Sequence, residues 1–249
     1  MAATAAASRL TEAHRLAQAR LAAQSIARVL VAWGLLDPED LTGTTARWLS
    51  VVLPLLAAQR RLSATLAANY LTTFRTMELG PGVSPFTPVL SDVLDIKATT
   101  ASLVITGPGK VRQALTRTVD LARALELGKV ESARAASRHV LNGGRSTILD
   151  TVAADKRALG WARATSGKTC SFCALLAGRG PVYKGQDTAD FKAHDSCNCT
   201  TEPVYRRDAA WPPGSRRFAE QYQEAKAATP DGEDVTNTFR RLLAAGSTA

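Results

Sequence analysis

The chain has 249 residues, 45% apolar and 21% charged, an ordinary globular balance with length enough for one large domain or two modest ones. Its net charge of +9 is spread along the chain: the first 150 residues carry 17 basic and 11 acidic side chains, the remaining 99 carry 14 and 11. There is thus no Lys/Arg tract of the nucleic-acid-arm kind, no run of eighteen apolar residues to span a membrane, and no charged start plus apolar core of a secretory signal.

Abundant alanine favours helix, and the first 80 residues read as two long ones. On the first, Leu16, Ala23, Ile26, Leu30 and Trp33 recur at three- to four-residue spacing and predict one apolar stripe. Gly34 to Asp40 ends it, with Asp37-Pro38 as the expected cap and first position of the next turn or helix. The second helix, about Thr44–Met77, carries Trp48, Val52, Leu55, Leu62, Leu66, Tyr70 and Phe74 on one side, so residues 1–80 are expected to form an antiparallel hairpin. The breakers between Gly80 and Pro88 mark a boundary. Beyond it a helical region is expected over 89–159, with segments at Val89–Leu94, Thr99–Ile105, Lys110–Leu127, Val130–Leu141 and Ser146–Leu159. Gly107-Pro108-Gly109 and Asn142-Gly143-Gly144 are its expected breaks.

After residue 160 the pattern changes. Trp161–Thr165, Pro181–Lys184 and Thr200–Tyr205 are short β-compatible runs, with a helical turn expected at Ala174–Leu176, which predicts a compact α+β unit over 160–206. Residues 207–249 are expected to hold two closing helices, Ser215–Ala228 and Val235–Ala245, around a mobile Pro230–Asp234 segment. The predicted fold class is therefore mainly α: an N-terminal helical hairpin and bundle with a small C-terminal α+β module.

All four cysteines fall within thirty positions of that module, as Cys170-Ser-Phe-Cys173 and His194-Asp-Ser-Cys197-Asn-Cys199. A disulfide framework would spread its cysteines over the structure it staples. Without an export signal, a reducing cytosol is expected, and metal binding is favoured there over cystine. A CxxC pair and an HxxC pair offer the four donors of a closed tetrahedral zinc site, with one to spare. Cys170, Cys173 and Cys197 are the firmest ligands, and His194 and Cys199 compete for the fourth place. One structural zinc ion would stabilise a unit with little core of its own. Free redox-active cysteines and a catalytic zinc are the competing readings.

The common catalytic patterns are missing. A zinc deaminase needs H-x-E and a proline before its CxxC, whereas Thr169 precedes Cys170. HExxH, G-x-S-x-G and a complete phosphate loop are absent. His14 and His139 sit in arginine-rich helical patterns and read as ordinary helix residues. Trp161, Tyr183 and Tyr205 read as a cover for the cluster, and Arg157, Arg163, Lys168 and Arg179 place positive charge around it. The chain is not expected to be an enzyme.

The runs Asp155–Arg163 and Thr169–Tyr183, followed by His194-Asp-Ser-Cys197-Asn-Cys199-Thr-Thr-Glu202-Pro, resemble the phage Mu protein F-like (MuF) minor head proteins of tailed actinobacterial phages. The likeness covers residues 140–206 and carries over Cys170, Cys173, His194, Cys197 and Cys199 as the site. Asn198 departs from the arginine that the family places before its last cysteine. The resemblance implies a minor capsid protein acting in head morphogenesis near the portal, linked to DNA packaging or ejection. Its implied partners are the portal and inner capsid proteins, with room for non-specific contact with packaged DNA and no role for a membrane. Its implied location is the capsid interior of the virion, and the bacterial host cytoplasm during assembly. The protease and toxin fusions of some relatives have no matching motif here. A zinc-ribbon nucleic-acid-binding protein and an enzyme with an open zinc site are the rival functions.

Overall fold

Three long helices frame the molecule: α1 (Ala5–Ala32), α2 (Leu41–Leu79) and α5 (Leu121–Ala154), each packed against the other two. The computed structural model describes residues 5–117, 120–165, 169–181, 191, 193–208, 211, 212 and 214–245. Two shorter helices, α3 (Ile96–Thr106) and α4 (Pro108–Leu115), lie against α5. Then come β1 (Gly160–Ala164), α6 (Ser171–Ala177), β2 (Thr200–Val204), α7 (Ser215–Ala228) and α8 (Val235–Ala245). The protein is mainly helical, and β1 and β2 form an antiparallel pair in which Gly160 faces Val204 and Ala164 faces Thr200.

Side-chain caps set the starts of α2, α3 and α5. Asp40, not Asp37, caps α2, accepting the Gly43 N–H at 2.8 Å, while Asp37 accepts from Glu39 within the preceding turn. Asp95 caps α3 and Asp120 caps α5 in the same way. Pro108 occupies the first turn of α4, where its missing N–H costs nothing. The bounds of α7 and α8 coincide with the sequence expectation. Between them, Glu233 N–H donates to the Pro230 carbonyl in a turn.

Three segment expectations in the helical half are corrected. The expected helix over Lys110–Leu127 is interrupted: α4 ends at Leu115, and α5 begins at Leu121 behind its Asp120 cap. Residues 89–94 are not helical. Their backbone donors reach α5 instead of closing a helical turn: Val89 N–H to Thr151 Oγ1 at 2.9 Å and Ser91 N–H to Thr147 Oγ1 at 3.0 Å. The helix also does not stop at Asn142-Gly143-Gly144; α5 runs through both glycines. A Cβ on Gly143 would sit 2.6 Å from the Arg60 carbonyl oxygen, and one on Gly144 2.9 Å from that of Ser63. The glycines are there because α2 passes directly over them, and Gly144 N–H donates to Ser63 Oγ at 2.9 Å. Gly143→Ala is therefore expected to lose about 1–2 kcal/mol, where an exposed helical Gly→Ala would gain about 1. Denaturant unfolding decides the sign.

The buried stripe of α1 is only partly the expected one. Trp33 is buried and Ile26 and Leu30 pack against the core, but Leu16 and Ala23 are exposed, and the inward face also carries Thr11, His14, Gln18, Leu21, Ser25 and Val29. Three of the polar side chains there find partners: Gln18 Nε2 donates to the Ser63 carbonyl at 2.9 Å, Gln18 Oε1 accepts from Ser63 Oγ at 2.8 Å, Thr11 bonds Tyr70, and Ser25 Oγ donates to the Leu21 carbonyl at 2.8 Å. On α2, Leu62 is likewise exposed, while Leu56, Gln59 and Ser63 face inward. By length and composition α2 could cross a membrane; here it is a helix of the bundle.

His14 stacks on Tyr70 with ring centroids 4.4 Å apart, and burial pushes its pKa down to about 4. An unfolded histidine titrates near 6.5, so between pH 6.5 and 4 the unfolded chain takes up a proton that the folded chain refuses. Stability is lost as pH falls through that window, by about 2 kcal/mol at pH 5. Burial raises the Glu202 carboxyl to about 7, which acts in the opposite sense as pH rises from 4.5. Comparing wild type with His14→Phe at pH 7 and pH 5 isolates the histidine. The stability difference between them should change by that amount in favour of the variant at low pH, read from denaturant titrations.

Among the described residues, three apolar clusters form the core. Val29, Trp33, Trp48, Val52, Leu56, Leu103, Val111 and Val140 form the first, at one end of the bundle. The second joins Tyr70, Phe74 and Ile148 of the long helices to Trp161, Phe191, Tyr205 and three of the cysteines. The third packs Ala174 and Ala177 of α6 against Phe218, Ala225 and Phe239. The core around the cysteines is thus shared with the bundle, contrary to the expected unit with little core of its own. Arg75, paired with Asp155 at 2.7 Å, ties the end of α2 to the junction between α5 and β1.

Candidate metal centre

Local structure aims each cysteine. Cys170 is the N-cap of α6, its Sγ accepting the Cys173 N–H at 3.4 Å, so the CxxC spacing is the first turn of a helix that starts before the expected turn at Ala174–Leu176. The helix places Cys173 one turn further in, fully buried. His194 and Cys197 come together through a turn in which Cys197 N–H donates to the His194 carbonyl at 3.1 Å. Ser196 takes the left-handed conformation there, with φ 65°. Cys199 directly precedes β2, and the strand pairing brings it beside Thr165, to which its thiol donates at 3.4 Å.

All five donors predicted from the sequence gather in one place, as two overlapping triads: Cys170, Cys173 and His194, and Cys173, Cys197 and Cys199. Within each, the ligand atoms lie within 4.8 Å of one another, and Cys173 belongs to both. A tetrahedral zinc would require S···S near about 3.8 Å and S···N near about 3.5 Å. Cys173 Sγ lies 3.5 Å from Cys197 Sγ and 3.6 Å from His194 Nε2, close to both values. Cys170 Sγ is 2.8 Å from His194 Nε2, a hydrogen-bonding distance. His194 Nδ1 donates to the Asp195 carbonyl at 2.7 Å, which leaves Nε2 with its lone pair toward the sulfurs. The cluster can hold a metal ion.

The electrostatics favour a cation. Hydrogen bonds from Cys173 and Cys197 push the Cys199 thiol far down, while bonds with Cys197 and Cys199, together with burial, push Cys173 up. Cys197 is lowered by its bond with Cys173, but Cys199 and burial outweigh this and raise it. A divalent metal among thiols this close would let all of them ionise.

Sequence reasoning missed Arg145. It lies on α5, fully buried, and its Nε–H donates to the Cys199 carbonyl at 3.1 Å while Nη2 donates to the Cys197 carbonyl and Nη1 to Asn142 Oδ1 at 3.0 Å. Burial works against its charge, and the thiolates of Cys197 and Cys199 support it. The signal was present: Leu141, Arg145, Ile148 and Val152 share one helical face, so an arginine lies in phase with the core. Two turns earlier, Arg138 pairs with Asp195 at 2.6 Å, so α5 grips the 194–199 segment at two points. Arg163, expected near the cluster, is buried with its guanidinium 3.8 Å from the centroid of the Phe191 ring. Arg179 is exposed, and Trp161 and Tyr205 are buried around the cysteines. Tyr183, Lys168 and most of the expected Pro181–Lys184 strand lie outside the described residues.

A sequence model of the VG15 protein family matches residues 1–225, which take in the bundle, the sheet and every candidate ligand. The chain belongs to the VG15 protein family. VG15 is a family of phage virion genes, which associates the chain with the phage particle. The match runs continuously from α1 into α7, so the cysteine cluster is part of the VG15 unit. No curated protein and no solved structure matches the chain.

Proposed function

We propose that this VG15 chain is a MuF-like minor head protein that acts in head morphogenesis near the portal, with a structural zinc ion at its cysteine cluster. The observation that carries the reading is the convergence of five thiol and imidazole donors in a chain of a phage virion family. A structural role, not a catalytic one, is supported by the donor count, since four ligands close a zinc and five are at hand. Thiolate-rich sets select zinc over harder cations, and the Arg145 charge offsets the net negative charge that three or four thiolates leave around a divalent ion. Bound there, zinc would tie α6 to the 194–197 turn and the start of β2, a segment that Arg138 and Arg145 hold against α5.

In this reading the long helices dock on the portal and the inner capsid, the basic surface accommodates packaged DNA, and the chain is not an enzyme. The deciding experiment is mass spectrometry of purified virions after cross-linking. A few copies per particle, linked to the portal, are expected; absence from the virion, or an even distribution over the outer shell, would sink the proposal. Zinc is checked by elemental analysis and by the spectrum of the cobalt-substituted protein, which should be that of a closed tetrahedral centre. A five-coordinate, water-bearing centre would favour the enzyme reading instead.

A further inference from the structure

From its third turn to Arg138, the cations of α5 are each paired with a carboxylate: Lys129 with Glu126 at 3.0 Å, Arg134 with Glu131 at 2.9 Å and Arg138 with Asp195 at 2.6 Å. Upstream that pattern stops. Residues 97–123 carry Lys97, Lys110, Arg112, Arg117 and Arg123 against one acid, Asp120. Three of these cations, Lys110, Arg117 and Arg123, line a cavity of about 280 Å³ where α4 meets the start of α5. Gln113, Ala114 and Leu127 complete its wall, and Lys110 Nζ donates to Gln113 Oε1 at 3.1 Å. Among the described residues no carboxylate lines this cavity, and none of its three cations makes an ion pair.

Like charges gathered around one concavity repel each other, and apolar walls focus their field outward. An anion relieves both. We propose that this cavity binds a phosphate group. Two guanidinium forks and one ammonium supply the bidentate and point-charge donors that phosphate oxygens take, and Ala114 and Leu127 offer an apolar wall for the sugar attached to them. The phosphate comes from a DNA backbone or from a free phosphate compound. None of the lining residues belongs to the cysteine cluster, so the site is independent of the metal.

The test uses the full chain with two probes, a short fluorescent DNA duplex and inorganic pyrophosphate, each titrated over a range of salt concentrations. Lys110→Ala/Arg117→Ala/Arg123→Ala is compared with Arg9→Ala/Arg20→Ala/Arg61→Ala, which removes the same charge from exposed positions outside the cavity. The cavity variant should bind phosphate probes at least tenfold more weakly than wild type, and the control should change little. If DNA is the source, the log–log salt slope for the duplex should also flatten by about 0.9 for each phosphate no longer engaged. If free phosphate is the source, only pyrophosphate binding should separate the two variants. Equal losses in both variants would reduce the effect to diffuse charge and overturn the site, as would failure of wild type to bind either probe. Displacement of the probes by polyglutamate as effective as by pyrophosphate would overturn the phosphate assignment in favour of an acidic peptide.

Discussion

Cys173→Ala should purify with no stoichiometric metal, and its melting temperature should fall by at least about 10 °C. Cys173 is the donor common to both triads, so no choice of four ligands from the five avoids it without abandoning the short Cys173–Cys197 and Cys173–His194 distances. A structural zinc contributes its binding energy to folding, and the loss here is of order 5 kcal/mol or more. At roughly 2–4 °C per kcal/mol for a chain of this size, that loss produces a fall of this magnitude. The damage should be local. Amide exchange should rise in α6 and over residues 193–204, while the centre of α2 keeps its protection, because the first apolar cluster does not include the site. A variant that retains metal would rule out a centre built on Cys173. The choice of fourth ligand is settled by His194→Ala and Cys199→Ala, of which only the true one should release the ion.

Arg145→Met is expected to cost roughly 3–5 kcal/mol with the cysteines untouched. The guanidinium is buried and holds the Cys197 and Cys199 carbonyls together with Asn142. Methionine fills the space of the stem but leaves those acceptors dry, at about 1–3 kcal/mol each before relaxation. Arg145→Lys should recover only part of the loss, since one ammonium lacks the fork that spans both carbonyls. Arg138→Ala provides the contrast. Its pair with Asp195 is partly exposed and should be worth about 1 kcal/mol or less. Denaturant titrations of the three variants, with metal content measured in parallel, give the ranking. Equal costs for Arg138 and Arg145 would show that burial of the second grip does not matter.

The sequence is most legible where a local rule has no tertiary competitor. The bounds of α7 and α8 can be read to the residue because their breakers, Pro-Pro-Gly before and Pro-Asp-Gly between, act on the backbone alone. The five donors are legible for a similar reason: metal ligation constrains residue type and spacing along the chain. Expectation and structure part where a residue answers to something distant. Gly143 and Gly144 have the form of a stop, but their meaning lies in the α2 carbonyls passing over them. The buried stripe of α1 departs from the apolar spacing because Gln18 and Ser63 satisfy each other across 45 residues of sequence and so can be buried. The 89–94 stretch has a helical pattern, yet its backbone donors are met by Thr147 and Thr151.

By itself the sequence determined a mainly helical chain, the two helices at its C-terminal end and the identity of the five donors around one site. These rest on propensity, punctuation and ligand chemistry, which are properties of neighbouring residues. Only the tertiary structure decided that the CxxC opens a helix, that the cysteines share their core with Tyr70, Phe74 and Ile148, and that Arg145 carries the charge beneath them. The physical reason is that burial, close approach and the pairing of a buried charge are set by groups far apart in the chain. No local pattern encodes the partner that offsets the cost of each.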